Sequence, residues 1–139
     1  MLQRLHVQNG LLALLVLLLV SCSQRVAFQN STVVPGAEGK VKMGKDNNGN
    51  QTVNVSVVNL AQPDLLPNPQ KIYVVWADTP DGTKNLGQLR TSKGLIGNSY
   101  KGDLTAIVQS KPRRVFITAE QDGSTTFPGN YVVMTTDNF

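Results

Sequence analysis

The feature of this sequence that most constrains its fold is a two-residue alternation of apolar and polar side chains. In residues 51–60 three valines alternate with polar residues, and residues 39–45 show the same pattern. A period of two places successive side chains on opposite faces of a strand. The segment between the two runs, residues 46–50, contains Asp, Asn and Gly, which tolerate a positive φ. The two runs therefore predict a β-hairpin.

The same kind of segment recurs along the chain, with turn residues such as Pro-Gly and Asp-Gly between the runs. Residues 61–70 contain three prolines and predict a loop or a crossing between sheets, whereas residues 91–101 are only loosely patterned. No segment of 12 or more residues has helical periodicity. We expect an all-β fold, an antiparallel immunoglobulin-like β-sandwich of about eight strands within residues 26–139. The predicted strands are 26–34, 39–45, 51–60, 71–78, 85–90, 103–108, 113–120 and 131–136.

The most apolar of these segments, residues 71–78, contains Tyr73 and Trp76. A run that is apolar at nearly every position is typical of a central strand buried on both faces. Two aromatic residues on one strand could also form a platform for a sugar. Trp76 alternates with apolar residues on one face of the strand, so we interpret it as a core residue.

The N-terminal region has the features of a bacterial lipoprotein signal. Arg4 precedes an unbroken apolar run at residues 11–20, which is half the roughly 20 residues that a membrane-spanning helix needs. The run ends in Leu19-Val20-Ser21-Cys22, which resembles the lipobox of bacterial lipoproteins. This resemblance implies cleavage of a signal peptide, residues 1–21, lipidation of the Cys22 sulfur, and a tether at residues 22–25. Two or three acyl chains on that residue would anchor the domain stably to a membrane.

Removal of the signal peptide would change the chemistry available to the chain. His6 is the single histidine and Cys22 the single cysteine of the sequence, so the mature domain would have neither a histidine nor a free thiol. Disulfides within the domain, Ser-His-Asp or Cys-His catalysis and zinc sites with His or thiolate ligands are thereby excluded. We expect no cofactor and no metal ion.

The charge distribution bears on the partners. Residues 1–21 hold one of the 13 basic and none of the nine acidic residues, so the mature formal charge is +3. Basic and acidic residues are interleaved without an aromatic-rich basic stripe, which does not favour nucleic-acid binding. We expect a membrane partner through lipid on Cys22 and a protein partner in the cell envelope. Ser23, in place of Asp after the cysteine, resembles the pattern that is routed to the outer membrane, facing the periplasm.

Two polar patterns raise the possibility of a site. Asp46-x-Asn48-x-Asn50 resembles the start of a calcium loop, but the sixth and twelfth positions lack the required Gly and Glu, and a hairpin turn accounts for the same residues. Paired carboxylates could perform acid–base chemistry. The glutamates are Glu38 and Glu120. The aspartates Asp46, Asp64, Asp81 and Asp122 fall mostly at turn positions, where Asp caps its own backbone.

Several motifs occur in a fixed order in the second half of the chain: Tyr73-Val74-Val75-Trp76, Asp81-Gly82, Asn85-Leu86-Gly87, Val115-Phe116-Ile117-Thr118-Ala119-Glu120 and Phe127-Pro128-Gly129. In this order they resemble the extracytoplasmic C-terminal domain of anti-sigma-K factors, over residues 71–136, about half of the chain. The resemblance implies a sandwich with a sensing or protein-contact role. It also implies structural roles for Trp76, Gly87, Glu120 and Pro128. The sequence has no counterpart of the sigma-binding domain and transmembrane helix of those proteins.

We therefore expect a lipid-anchored, non-enzymatic binding or structural module of the bacterial envelope, with residues 61–70 and 91–101 as the first candidates for contact with a partner. One alternative is an envelope sensor related to anti-sigma-factor ectodomains. Another is a hydrolase without histidine, which would need two carboxylates facing each other across a cleft.

Substitution of Cys22 by alanine tests the anchor. The variant lacks the sulfur that would carry the lipid, so the mature domain should move from the membrane fraction to the extract of envelope proteins. Fractionation followed by immunoblotting measures the shift. A mature Cys22→Ala protein that stays with the membrane would contradict the interpretation of Cys22 as a lipidation site.

Overall fold

The computed structural model describes residues 23–95 and 97–139, which form two antiparallel β-sheets. The predicted signal peptide and Cys22 lie outside the described residues. A 3-10 turn, Pro63–Leu65, lies between the third and fourth strands. In chain order the strands are β1 (Gln24–Ala27), β2 (Glu38–Lys45), β3 (Gln51–Leu60), β4 (Ile72–Thr79), β5 (Gly82–Gln88), β6 (Arg90–Lys93), β7 (Tyr100–Val108), β8 (Arg114–Glu120) and β9 (Val132–Thr135).

The order of the strands confirms the predicted immunoglobulin-like sandwich. One sheet has the order β1-β2-β3-β7-β6 and the other β5-β4-β8-β9. Without the edge strands β1 and β5, the order is β2-β3-β7-β6 against β4-β8-β9. This is the A-B-E-D and C-F-G arrangement of a constant-type immunoglobulin domain. β1 is therefore an additional strand in front of strand A.

The main core lies between the two sheets. Val41, Val53 and Val55 face it from the five-stranded sheet, and Val75 and Ile117 from the four-stranded sheet, all at most 2 % exposed. Burial of one such side chain contributes about 1.5–3 kcal/mol. The predicted alternation in β2 and β3 is confirmed, because Val41, Val53, Val55 and Val57 are buried while Lys40 and Lys42 are exposed.

β4 is buried on both faces, as predicted from its nearly continuous apolar sequence. Alternate residues Tyr73, Val75 and Ala77 join the main core, while Val74 and Trp76 belong to a second, smaller cluster with Phe116. We expected the tryptophan in the interior of the sandwich. It is fully buried, but on the outer side of the four-stranded sheet, because the period of two turns it away from Tyr73 and Val75.

Two predictions about strands need correction. The sandwich has nine strands within the described residues, where we expected about eight. The strand without a predicted counterpart is β6, Arg90–Lys93, most of which lies in the loosely patterned stretch 91–101. The predicted first strand, residues 26–34, ends at Ala27. The Ser31 hydroxyl accepts hydrogen bonds from the backbone N–H groups of Val33 and Val34 and donates one to Val133 O at 2.6 Å, which favours a turn over an extended strand.

The described chain enters the sheet earlier than expected. Gln24 and Arg25, which we assigned to the tether, pair with Met43 and Lys42 of β2. β1 runs antiparallel to β2, so Ser23 lies at the end of the sandwich where β2 ends and β3 begins. This proximal end comprises Ser23 and the connections at residues 46–50, 80–81 and 109–113.

The opposite end, which we name the distal end, comprises the connection between β1 and β2, residues 28–37, and three further loops, which we name the distal loops. They are residues 61–71 between β3 and β4, 94–99 between β6 and β7, and 121–131 between β8 and β9; Ile96 lies outside the described residues. Because β1 adds one antiparallel pass before strand A, the described chain begins at the end opposite to these loops. Without β1 it would begin next to them.

The hairpin between β2 and β3 is confirmed. The Asp46 carboxylate accepts hydrogen bonds from the backbone N–H groups of Asn48 and Asn50, at 2.9 and 2.8 Å, and from the Asn50 side chain. These hydrogen bonds from Asn50 and Asn48 lower the pKa of Asp46 below its usual value. The residues that resemble the start of a calcium loop thus close their own turn.

A close approach in β7 provides a test of the packing. A methyl group at Gly102 would lie 2.4 Å from Leu89 Cδ2 and 3.3 Å from Leu60 Cδ1, in the main core. We expect Gly102→Ala to lower the free energy of unfolding by about 1–3 kcal/mol, because these side chains must move. Chemical denaturation monitored by tryptophan fluorescence measures the change.

Gly44→Ala is the matched control, since Gly44 is also a strand glycine without a positive φ. Its added methyl would meet only Thr52 Oγ1, at 3.4 Å. The loss of backbone freedom in the unfolded chain should then leave this variant unchanged or more stable by up to about 1 kcal/mol. Equal stabilities for the two variants would contradict the packing of Leu89 over Gly102.

Candidate functional site

A cleft at the distal end brings together the two segments that the sequence marked for contact with a partner. Loop 61–71 forms one wall, and the other contains Thr91 and Tyr100 of the β6–β7 hairpin. The volume of the cleft is about 370 Å³, near the lower end of the range for small-ligand sites. We name it the distal cleft.

The lining of the distal cleft is polar and mixed in charge. It includes the amides of Gln62 and Gln70, the carboxylate of Asp64, the ammonium group of Lys71 and the ring of Tyr100. Such a set can exchange hydrogen bonds with a peptide backbone or with hydroxyl groups, while the ring offers an apolar face. Asp64 is the one carboxylate among the described residues that line the cleft, so the pair required by the hydrolase alternative is not found there.

Hydrogen bonds hold the walls of the cleft in place. The buried Tyr73 hydroxyl donates to Ala61 O at 2.9 Å, where loop 61–71 leaves β3. Burial, with a smaller effect of Tyr131, raises the pKa of Tyr73 well above its usual value, so the phenol keeps its proton and remains a donor. Gln62 donates through its amide to the Tyr100 hydroxyl, which joins the two walls directly.

Each of the three distal loops also presents one large apolar side chain to solvent. Leu65 in loop 61–71 is 66 % exposed, Leu95 in loop 94–99 is 97 % exposed, and Phe127 in loop 121–131 is 80 % exposed. Single exposed apolar residues are common on protein surfaces. Exposed large apolar side chains on several loops that connect strands at the same end of a sandwich are typical of a surface that contacts another molecule.

Loop 121–131 is fastened to the outer side of the four-stranded sheet. The Asn85 side-chain amide donates to Gly123 O and Thr125 O, at 3.0 and 2.9 Å. At its other end, the backbone N–H of Gly129 donates to Glu120 Oε1 at 2.7 Å. A methyl group at Gly129 would lie 2.7 Å from Glu120 Oε2, so this position requires glycine.

Glu120 belongs to a buried chain of hydrogen bonds. Trp76 Nε1–H donates to Thr118 Oγ1 at 2.8 Å, and the Thr118 hydroxyl donates to Glu120 Oε1 at 2.6 Å. All three side chains are buried. The resemblance to anti-sigma-K factors implied structural roles for Trp76 and Glu120, and both lie in this network. Glu120 Oε1 accepts hydrogen bonds from Thr118 and Gly129, and the carboxylate thereby holds loop 121–131 against the end of β8.

Next to this network, the outer side of the sheet carries a ladder of stacked groups. The rings of Trp76 and Phe116 are stacked with centroids 6.4 Å apart, and the Arg114 guanidinium lies 4.7 Å from the Phe116 centroid. Arg114 also forms an ion pair with Asp78 at 2.7 Å. The aromatic residues are therefore covered by their neighbours and by loop 121–131, and they do not form a platform for a ligand.

The other candidates from the sequence lie apart. Glu38 is exposed at the start of β2 in the five-stranded sheet, whereas Glu120 is buried at the end of β8 in the four-stranded sheet. The distal cleft itself was not predicted, because its formation depends on a crossing loop and an edge strand that meet only in the folded chain.

No protein-family model, curated protein or solved structure matches this chain. Within the described residues, no helix has the length and apolar character to cross a membrane. The His, Cys, Asp and Glu side chains of that part of the chain form no group of three that could hold a metal ion.

The buried network can be tested with Thr118→Val, which keeps the shape of the side chain and removes its hydroxyl. Trp76 Nε1–H then loses its acceptor and Glu120 loses a donor. We expect the free energy of unfolding to fall by about 2–4 kcal/mol, since each buried group left unsatisfied costs about 1–3 kcal/mol. Chemical denaturation measures the loss.

Thr125→Val is the control with the same chemical change. Thr125 Oγ1 is buried and has no hydrogen-bond partner among the described residues, so its removal should leave the protein equally or more stable. If Thr118→Val is as harmless as Thr125→Val, the network does not stabilise the fold.

Proposed function

We propose that this protein is a lipid-anchored, non-enzymatic binding module of the bacterial cell envelope, which holds its distal end towards a protein partner. The observation that carries the proposal is that the distal cleft and the exposed side chains of Leu65, Leu95 and Phe127 all belong to the distal loops or to the strands next to them. Apolar side chains around a polar cleft provide both anchors and hydrogen-bonding groups, which protein interfaces combine.

The position of the loops supports this function by analogy. Loops 61–71 and 121–131 correspond to the B–C and F–G loops of an immunoglobulin domain, two of the loops that bind antigen in variable domains. A shared fold does not by itself give a shared function. The analogy gains weight here from the chemistry of the loops, which carry exposed apolar residues and a cleft.

The arrangement of the two ends also fits an anchored module. The described chain begins with Ser23 at the proximal end, directly after Cys22 in the sequence. A lipid on Cys22 would therefore attach the domain to the membrane through its proximal end, which is opposite to the distal loops.

A second candidate is an envelope sensor related to anti-sigma-factor ectodomains. The observation that favours it is that three of the motifs that carry the resemblance are in contact: Trp76 and Glu120 share a hydrogen-bond network, which continues to Gly129. This candidate uses the same distal end and differs in the partner, which would be a signalling protein. Identification of the partner separates the two.

Site-specific photocrosslinking in cells tests the proposed surface. A photoreactive phenylalanine analogue at Leu65 or Phe127 should give a discrete crosslinked species with an envelope protein, detected by immunoblotting and identified by mass spectrometry. These side chains are exposed, so the analogue should not disturb the core.

Ile107 provides the matched control. Its side chain is 65 % exposed, nearly the same as that of Leu65, but it lies on β7 near the proximal end. We expect no discrete product from this position. Equal crosslinking from Ile107 and Leu65, or no product from any distal position, would contradict a partner surface at the distal end.

A further inference from the structure

A basic groove lies at the proximal end, next to the first described residue. It is lined by Ser23 and by the three lysines Lys42, Lys45 and Lys111, together with uncharged residues of β1, β2 and β3. None of the described residues that line it is acidic. We name it the basic groove.

Two further cations lie on the same face of the sheet. Arg25 of β1 pairs directly with Lys42, and Lys40 lies two residues from Lys42 on the same exposed side of β2. Like charges at directly opposed positions of a sheet repel each other. Within the described residues, neither these two cations nor the groove lysines form an ion pair with a carboxylate.

The acidic residue nearest along the chain is Asp46, directly after Lys45. Its carboxylate is engaged by the backbone N–H groups of Asn48 and Asn50 in its own turn. Asp46 therefore reduces the net positive charge of this region by one, but it does not pair with the lysines. Glu38 lies two residues from Lys40 on the same exposed side of β2 and removes one further positive charge. Five cations and two carboxylates leave this region with a net positive charge of three, which still attracts anions.

We propose that the basic groove docks on the surface of a bilayer that contains anionic phospholipid, and so fixes the orientation of the domain on the membrane. This inference rests on the proposed function, because it takes the lipid on Cys22 as the anchor. Consecutive Cα atoms are about 3.8 Å apart, so an anchor on Cys22 is a single residue away from Ser23 in the groove wall. The cations then lie close enough to the headgroups for attraction across about one Debye length, 8–10 Å.

The acyl chains and the groove would have different tasks. Two or three acyl chains suffice for retention at a membrane. A flexible attachment through one residue leaves the domain free to rotate, however. Docking of the Lys42, Lys45 and Lys111 face would remove that freedom and hold the distal end away from the bilayer. The occupant is therefore the anionic bilayer surface itself and not a dissolved anion.

Lysine footprinting of the lipidated wild-type protein tests this directly. The protein is incorporated into vesicles of phosphatidylcholine alone or of phosphatidylcholine with phosphatidylglycerol, and lysine acetylation rates are measured by mass spectrometry. We expect Lys42, Lys45 and Lys111 to react about fivefold more slowly on the anionic vesicles. This factor corresponds to the free energy, about 1 kcal/mol, by which an anionic membrane surface attracts one cation. Lys93 and Lys101, at the other edge of the same sheet, should react equally on both.

Added salt tests whether the protection is electrostatic, and substitutions test whether it depends on the groove lysines. In about 1 M NaCl, where the Debye length is about 3 Å, the protection should disappear. Lys40 lies beside the groove and should also react more slowly on the anionic vesicles in the wild-type protein. In the triple variant Lys42→Gln, Lys45→Gln, Lys111→Gln, Lys40 should lose this protection. The control triple variant Arg90→Gln, Lys93→Gln, Lys101→Gln has the same change in charge and should retain it.

The outcomes separate this inference from the proposed function. If the protein floats with neutral vesicles but the anionic lipid protects no groove lysine, the anchor stands and the basic groove does not dock. If the protein does not float with neutral vesicles, the proposed lipid anchor is wrong. The lysine acetylation rates with anionic vesicles then still show whether the basic groove docks. Protection by dissolved inorganic phosphate without vesicles would assign the groove to a soluble anion and overturn the proposal.

Discussion

The two-sided burial of β4 is the constraint on which the rest of the structure depends. One face of this strand contributes Tyr73, Val75 and Ala77 to the main core, and the other contributes Val74 and Trp76 to the outer cluster. The first face needs the five-stranded sheet as a cover. The second needs a cover that a two-sheet sandwich does not provide, and loop 121–131 supplies it through Asn85 and Glu120. The long β8–β9 connection is therefore part of the core as well as part of the distal end.

The additional strand β1 determines how the ends of the sandwich relate to the N-terminus. It pairs with β2 over four residues and places Ser23 at the proximal end. Lys42, Lys45 and Lys111 lie near this end, and Leu65, Leu95 and Phe127 lie on the distal loops. A strand of four residues thus places the first described residue at the end of the sandwich that is opposite to the distal loops.

The sequence predicted the parts of the fold that depend on local periodicity. The β2–β3 hairpin and the burial of β4 follow from side-chain alternation and from the Asp46 turn, which are short-range features. β6 was missed because all four of its residues are exposed, so an edge strand of this kind has no apolar face to produce a period of two. Residues 28–34 were wrongly included in the first strand, because their composition favours a strand while the Ser31 hydroxyl turns the backbone.

The candidate site was predictable only in part, for a related reason. Residues 61–70 were marked by their prolines and residues 91–101 by their loose pattern, and the structure brings both to the distal cleft. Nothing local indicated that they meet, because the contact between Gln62 and Tyr100 joins residues that are far apart in the chain. The hydrogen bond between Gly129 and Glu120 was likewise not predicted, although the resemblance implied a structural role for Glu120.

The hydrogen bonds that fix the distal loops would affect the affinity for the proposed partner. Loop 61–71 is held by Tyr73 at its start and by the Gln121 side chain, which donates to Pro69 O at 3.1 Å. Loop 121–131 is held by Asn85 and Glu120. Ordering a flexible side chain on binding costs about 0.5–1.5 kcal/mol, and ordering a loop adds to that cost. Because the backbones of these loops are already fixed in the free domain, a partner would have to order mainly the exposed tips, so more of the contact energy at Leu65 and Phe127 would remain as affinity.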